Sequence, residues 1–87
     1  MKIKEGFVLR EVAGNHVVIA VGKATQTFNG MIQLNQTGAL LFSLLEKGCE
    51  QKDLVEAMIK EYEIDVQTAE QDVSEFVDSL KEANLLA

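Results

Sequence analysis

Two residues would carry most of any covalent or proton-transfer chemistry in this chain: its single histidine, His16, and its single cysteine, Cys49. A metal centre or a catalytic triad needs several such groups converging on one point. His16 begins a strand beside a turn and reads as a surface or hairpin residue. Cys49 falls between two helices, with no histidine near it in sequence to draw off its proton, and reads as a small loop residue. A lone cysteine forms no internal disulfide, which fits a reducing compartment. Gly22, Gly30, Gly38 and Gly48 are isolated, so no glycine-rich phosphate loop is present. Glu61 and Glu63 flank Tyr62 at a charged helix end. Glu70, Asp72, Glu75 and Asp78 belong to the solvated face of another helix. The expectation is a chain that performs no catalysis alone and uses no metal or cofactor.

Binding is the remaining class of function, and charge restricts it. The chain carries 14 acidic and 8 basic residues, a net charge of −6. Proteins that neutralise phosphates present a basic face. Here Lys2, Lys4, Lys23, Lys47, Lys52, Lys60 and Lys81 are scattered, and no two neighbouring positions are basic. Nucleic acid is therefore not the expected partner. No apolar run is long enough to span a bilayer. The start, Met1-Lys-Ile-Lys-Glu-Gly6, leads straight toward a strand without a signal peptide, so the expected location is the cytoplasm. With 87 residues and no linker, repeat or proline, one domain over residues 1–87 is expected.

The elements that would position a binding surface follow from a change of hydrophobic period at Met31-Ile-Gln-Leu-Asn-Gln-Thr-Gly-Ala-Leu40. Upstream, apolar residues fall in strand-like runs. Phe7–Val12 and His16–Val21 form a hairpin about Ala13-Gly-Asn15, whose Gly and Asn tolerate positive φ. In the first strand Phe7, Leu9 and Glu11 share one face. Gly22 to Asn29 reads as a loop from which Phe28 folds back onto the core. Gly30–Leu34 is a short third strand, with Ile32 and Leu34 pointing one way and Met31 and Gln33 the other. Downstream the period is helical. Asn35 caps a first helix over Gln36–Lys47, with Leu40, Leu41, Leu44 and Leu45 inward and Phe42 on the flank. Gly48 ends it. A second helix, Gln51–Tyr62, buries Leu54, Val55, Met58, Ile59 and Tyr62, with Glu50 as an imperfect cap. Asp65 caps a third, Val66 to Ala83, whose inward stripe is Val66, Ala69, Val73, Phe76, Leu80 and Ala83, widened by Val77. Leu85 and Leu86 close the core after Asn84. The fold class is α+β, a three-stranded antiparallel N-terminal sheet followed by three helices.

This order, with Leu9-Arg-Glu11, Leu34-Asn-Gln-Thr-Gly-Ala39, Leu44-Leu-Glu-Lys-Gly48, Tyr62-Glu-Ile-Asp65, Asp72-Val73, Phe76, Leu80 and Asn84-Leu-Leu86, resembles the PqqD-like proteins. These are the precursor-peptide chaperones first named from pyrroloquinoline quinone biosynthesis. The likeness runs from Phe7 to Leu86. It implies a winged helix-turn-helix fold that binds no DNA and recognises the leader segment of a ribosomally made, later modified peptide. The leader is implied to add as a strand to the third strand, in a cleft beside the third helix. A partner enzyme, often a radical S-adenosylmethionine protein, is implied to do the chemistry.

A short exposed strand beside an amphipathic helix is also the geometry of β-strand addition, independent of any resemblance. The expected peptide-binding residues are Met31, Ile32, Gln33 and Leu34 on the strand, and Glu70, Val73, Ser74, Val77 and Lys81 on the third helix. Val77 is placed at the edge of the stripe, where it either packs a peptide side chain or widens the core. Two alternatives stay open: a small winged-helix transcription regulator that binds DNA, and a subunit that only assembles an enzyme complex.

Overall fold

The computed structural model describes residues 1–28 and 30–87. Strand β1 (Phe7–Val12), β2 (Asn15–Ala20) and β3 (Met31–Leu34) precede helices α1 (Gln36–Lys47), α2 (Gln51–Tyr62) and α3 (Val66–Glu82). The sheet is antiparallel in the order β1-β2-β3. This is the expected α+β, winged-helix-like architecture.

The hairpin turn is tighter than the sequence suggested. Its loop is Ala13-Gly14 alone, both at positive φ (52° and 82°), and Asn15 already pairs with Val12. Two residues at positive φ give the turn whose twist matches that of the strands it joins. β2 consequently begins and ends one residue earlier than the expected His16–Val21. β3 starts at Met31 rather than Gly30, because Gly30 has φ 99° and cannot extend the strand. Within the expected Gly22–Asn29 loop lies a 3-10 turn, Gly22–Gln26; Asn29 itself lies outside the described residues. Phe28 does fold back, its ring edge-on to Phe7 at 5.4 Å between centroids.

Register sorts the sheet into two faces. Leu9 pairs with Val18 and Val18 with Ile32, while His16 lies between Glu11 and Leu34. Val18 is fully buried, and Phe7, Leu9, Ile32 and Leu34 pack round it on the helical side. Glu11 shares that face but is exposed, because the helices do not reach the turn end of the hairpin. Met31 and Gln33 face the other way and are exposed.

The helices begin and end by side-chain chemistry. Asn35 Oδ1 accepts the Gly38 N–H at 2.7 Å, and an Asp65 carboxylate oxygen accepts the Thr68 N–H at 2.7 Å. The Asn35 cap is worth about 1 kcal/mol. Glu50, a poor cap by type, is helped by Asp53, whose carboxylate accepts the Glu50 N–H at 2.8 Å. At the end of α3, Asn84 takes a left-handed conformation (φ 63°). The Leu85 N–H then reaches the Leu80 carbonyl and the Asn84 N–H the Lys81 carbonyl. That pair of bonds is the Schellman arrangement, and it turns Leu85 into the core.

The core is Ile3, Val18, Leu41, Phe42, Leu45, Leu54, Met58, Ala69, Val73, Val77, Leu80 and Leu85. Two expectations need correction, and one left open is decided. Phe42 is not on a flank but wholly buried. Val66 is 57% exposed, because the first turn of α3 projects beyond its neighbours. Val77 is 1% exposed and belongs to the core itself. Ile3, which no local pattern marked, is buried through a bridge to Leu86 that ties the two chain ends together.

Candidate functional site

β3 is an edge strand, with β2 on one side and no strand on the other among the described residues. An edge strand presents unpaired N–H and C=O groups. Natural sheets blunt such edges with charged side chains. The other edge, β1, carries Arg10 and Glu11, whereas Met31-Ile-Gln-Leu34 carries no charge at all. Ile32 and Leu34 are half-buried, Met31 is 64% exposed, and the Gln33 amide reaches back to Asn15 Oδ1 at 3.4 Å. The four residues therefore form an uncharged, accessible strand with an apolar inner row.

Where β3 ends, the chain turns at once into α1 and meets α3. The meeting is close. A methyl group placed on Gly38 would lie 3.3 Å from Leu34 Cβ, from Asn35 Oδ1 and from Phe76 Cε1. One glycine thus lets β3, α1 and α3 converge. Beside this point is a cleft of about 400 Å³, floored by Gly38, Leu41 and Phe76 and rimmed by Thr37, Asp72 and Glu75. A second hollow, about 500 Å³, runs from Gly14 to His16 past Gln33 and Leu34, and Asn35 is a wall of both. Together they make an interrupted groove at the α1 end of β3.

Of the expected strand residues, Gln33 and Leu34 line the second hollow, and Met31 and Ile32 line neither. The helix half is distributed differently. On α3, Asp72, Glu75, Phe76 and Ser79 recur on one flank of the buried stripe, and Glu70, Ser74 and Lys81 on the other. The cleft next to β3 and α1 uses the first flank. Glu70, Ser74 and Lys81 do not line it, and Val73 and Val77 are buried beneath the surface. The cleft-lining residues that the sequence reading did not place at the site are Thr37, Gly38, Leu41, Asp72, Glu75 and Phe76. A signal existed for two of them. Gly38 sits in the Leu-Asn-Gln-Thr-Gly-Ala run, and Phe76 is the one aromatic in the α3 stripe.

His16 borders the second hollow, while Cys49 lies in the turn between α1 and α2, hydrogen-bonded through its backbone to Met1. Burial, then the nearby Asp53 carboxylate, pushes the Cys49 thiol above its ordinary range, so it is less thiolate than a free cysteine. Among the described residues no group of three or more His, Cys, Asp or Glu side chains is placed to hold a metal ion. No described helix is long and apolar enough to cross a membrane.

Comparison with known proteins adds three findings. Over residues 8–86 the chain matches the model of the family described as coenzyme PQQ synthesis protein D (PqqD). Among curated proteins none matches. Two solved structures superpose on nearly the whole chain. The structure of TbiB1 in complex with the TbiA(beta) leader peptide does so with a TM-score of 0.81 at 30% identity, covering 99% of this chain and 94% of that one. Lasso peptide synthetase B1 complexed with the leader peptide does so with a TM-score of 0.76 at 26% identity, covering 97% and 93%.

Proposed function

This chain belongs to the PqqD family, and from that premise we propose that it binds the leader segment of a ribosomally synthesised precursor peptide and presents it to a modifying enzyme. The observation that carries this reading is the uncharged free edge of β3, with an apolar-floored cleft beside the Leu34 end of the strand. Both structural relatives were solved with a leader peptide bound.

The mechanism follows from the edge. An extended peptide laid along β3 satisfies its own main-chain groups and those the strand leaves open, which gives affinity without reading sequence. Alternate side chains of the added strand point toward the helical layer. There Leu41, Phe76 and the bare backbone of Gly38 offer room for one apolar anchor. Burying a Leu- or Phe-sized side chain contributes about 1.5–3 kcal/mol. That gain offsets part of the entropy lost when a disordered leader is ordered. The chain then acts as an adaptor: it fixes one end of the substrate, and the rest reaches the enzyme at a raised effective concentration. We assign no chemical step to this chain. The radical S-adenosylmethionine class of partner is proposed on the family resemblance alone.

The DNA-binding alternative is not supported. In a winged helix-turn-helix protein the second helix of the motif enters the major groove. Here α3 would have to do so, and it carries Glu70, Asp72, Glu75, Asp78 and Glu82 against the single Lys81.

The test is a titration of isotope-labelled protein with synthetic leader segments of precursor peptides encoded beside its gene. The largest amide shifts are expected at Met31–Leu34, at Thr37 and Gly38, and around Asp72–Phe76. Shifts confined to the Phe7–Ala20 hairpin would overturn the assignment of the edge.

A further inference from the structure

The cleft beside β3 has a charge as well as a shape. Asp72 and Glu75, one turn apart on α3 and both exposed, stand on its rim above Leu41 and Phe76. No lysine or arginine is among the residues lining it. Glu75 accepts a hydrogen bond from the neutral Gln71 amide at 3.4 Å. The N-terminus of α1 also faces the cleft through Thr37 and Gly38. Its dipole is equivalent to only about half a positive charge, and the Gly38 N–H is already taken by Asn35 Oδ1. Two full negative charges outweigh it.

An acidic rim over an apolar floor selects one kind of side chain. A peptide aspartate or glutamate there meets like charge. A lysine or arginine lays its alkyl stem over Phe76 and brings its cation to the rim carboxylates. We infer that the peptide segment received by this cleft carries a lysine or arginine close to its apolar anchor, and that Asp72 and Glu75 read it. This rests on the peptide-binding reading above and adds a sequence requirement to it. The spacing follows from strand geometry. Side chains on one face of an added strand are two residues apart, so the base stands two positions from the anchor. Exposed ion pairs contribute modestly to affinity and more to the choice between partners. Asp72 and Glu75 are thus specificity residues, while the β3 edge supplies general affinity.

The experiment is selection of random peptides displayed on phage against the wild-type protein and against the D72N/E75Q variant. Both positions are exposed, so the variant should melt like the wild type by circular dichroism. Peptides selected by the wild type should carry Lys or Arg two positions from an apolar residue. The variant should lose that preference. A selected basic peptide should bind the variant about three- to tenfold more weakly, a difference that high salt erases. If selected peptides shift the Met31–Leu34 amides but show no basic preference, or bind both proteins alike, this inference fails and the peptide-binding reading stands. If no selected peptide perturbs β3, both fail together.

Discussion

Placing a carboxylate at Val77 would bury a charge among apolar side chains, since the position is 1% exposed in the core with Ala69, Val73 and Leu80. Val77→Asp should therefore cost on the order of 4 kcal/mol or more, comparable to the whole stability of a small domain. A melting curve should show it largely unfolded, and a fold intact at the wild-type temperature would contradict the burial. Cys49 gives a milder expectation. Its thiol is held up first by burial and then by Asp53. Alkylation by iodoacetamide at neutral pH should be slower than for a free cysteine, with the midpoint of the rate–pH curve displaced upward. Unfolding in urea should restore the ordinary rate. A fast reaction in the folded protein would place a thiolate where none is expected.

At the scale of elements, the seams are set by caps, and one cap titrates. The Thr68 N–H bonded to Asp65 favours the ionised carboxylate and lowers its pKa below the ordinary value of 3.8. A carboxyl with a depressed folded-state value stabilises the protein above its unfolded value. That contribution disappears as pH falls through the folded one. Asp65→Ala should thus lower the melting temperature at neutral pH, and the gap from wild type should narrow once the pH drops below about 3.8. A gap independent of pH would mean that the cap does not act through the charged carboxylate. The same logic of seams explains Gly38. It lies in the first turn of α1, where Ala would normally improve a helix. Here the added methyl would press on Leu34, Asn35 and Phe76 at once, so the close joint of β3, α1 and α3 depends on its absence.

For the whole molecule, the net charge of −6 and the acidic outer surface of α3 work against polyanions and for cationic or neutral peptides. A mobility-shift assay at physiological salt should show no specific duplex binding. Tight, sequence-dependent retardation would reverse the assignment of partner class. The chain ends belong to this scale too. Ile3 bridges Leu86, the Lys4 N–H bonds to the Leu85 carbonyl at 2.8 Å, and the Ala87 N–H to the Lys2 carbonyl at 2.9 Å. The N-terminal arm is thereby locked over the turn between α1 and α2, away from the free edge of β3.

The bounds of α1 and α2, Gln36–Lys47 and Gln51–Tyr62, were legible residue for residue. So were the alternation of Met31 to Leu34 and the caps at Asn35 and Asp65. Each depends on neighbours within about one helical turn, where residue type and spacing decide the backbone. What sequence alone left open depends on contacts between distant segments. The stripe on α3 has two flanks, and periodicity treats them alike. Val77 on one and Phe76 on the other are both apolar borders of the same face. Only the packing of α2 against α3, and the convergence of Gly38 with Phe76, decides which flank is covered and which borders the cleft. Hence Val77 is core, while Phe76, Asp72 and Glu75 face the groove. Ile3 and Phe42 follow the same rule. Their burial comes from surfaces brought over them by the fold, which a local pattern does not contain.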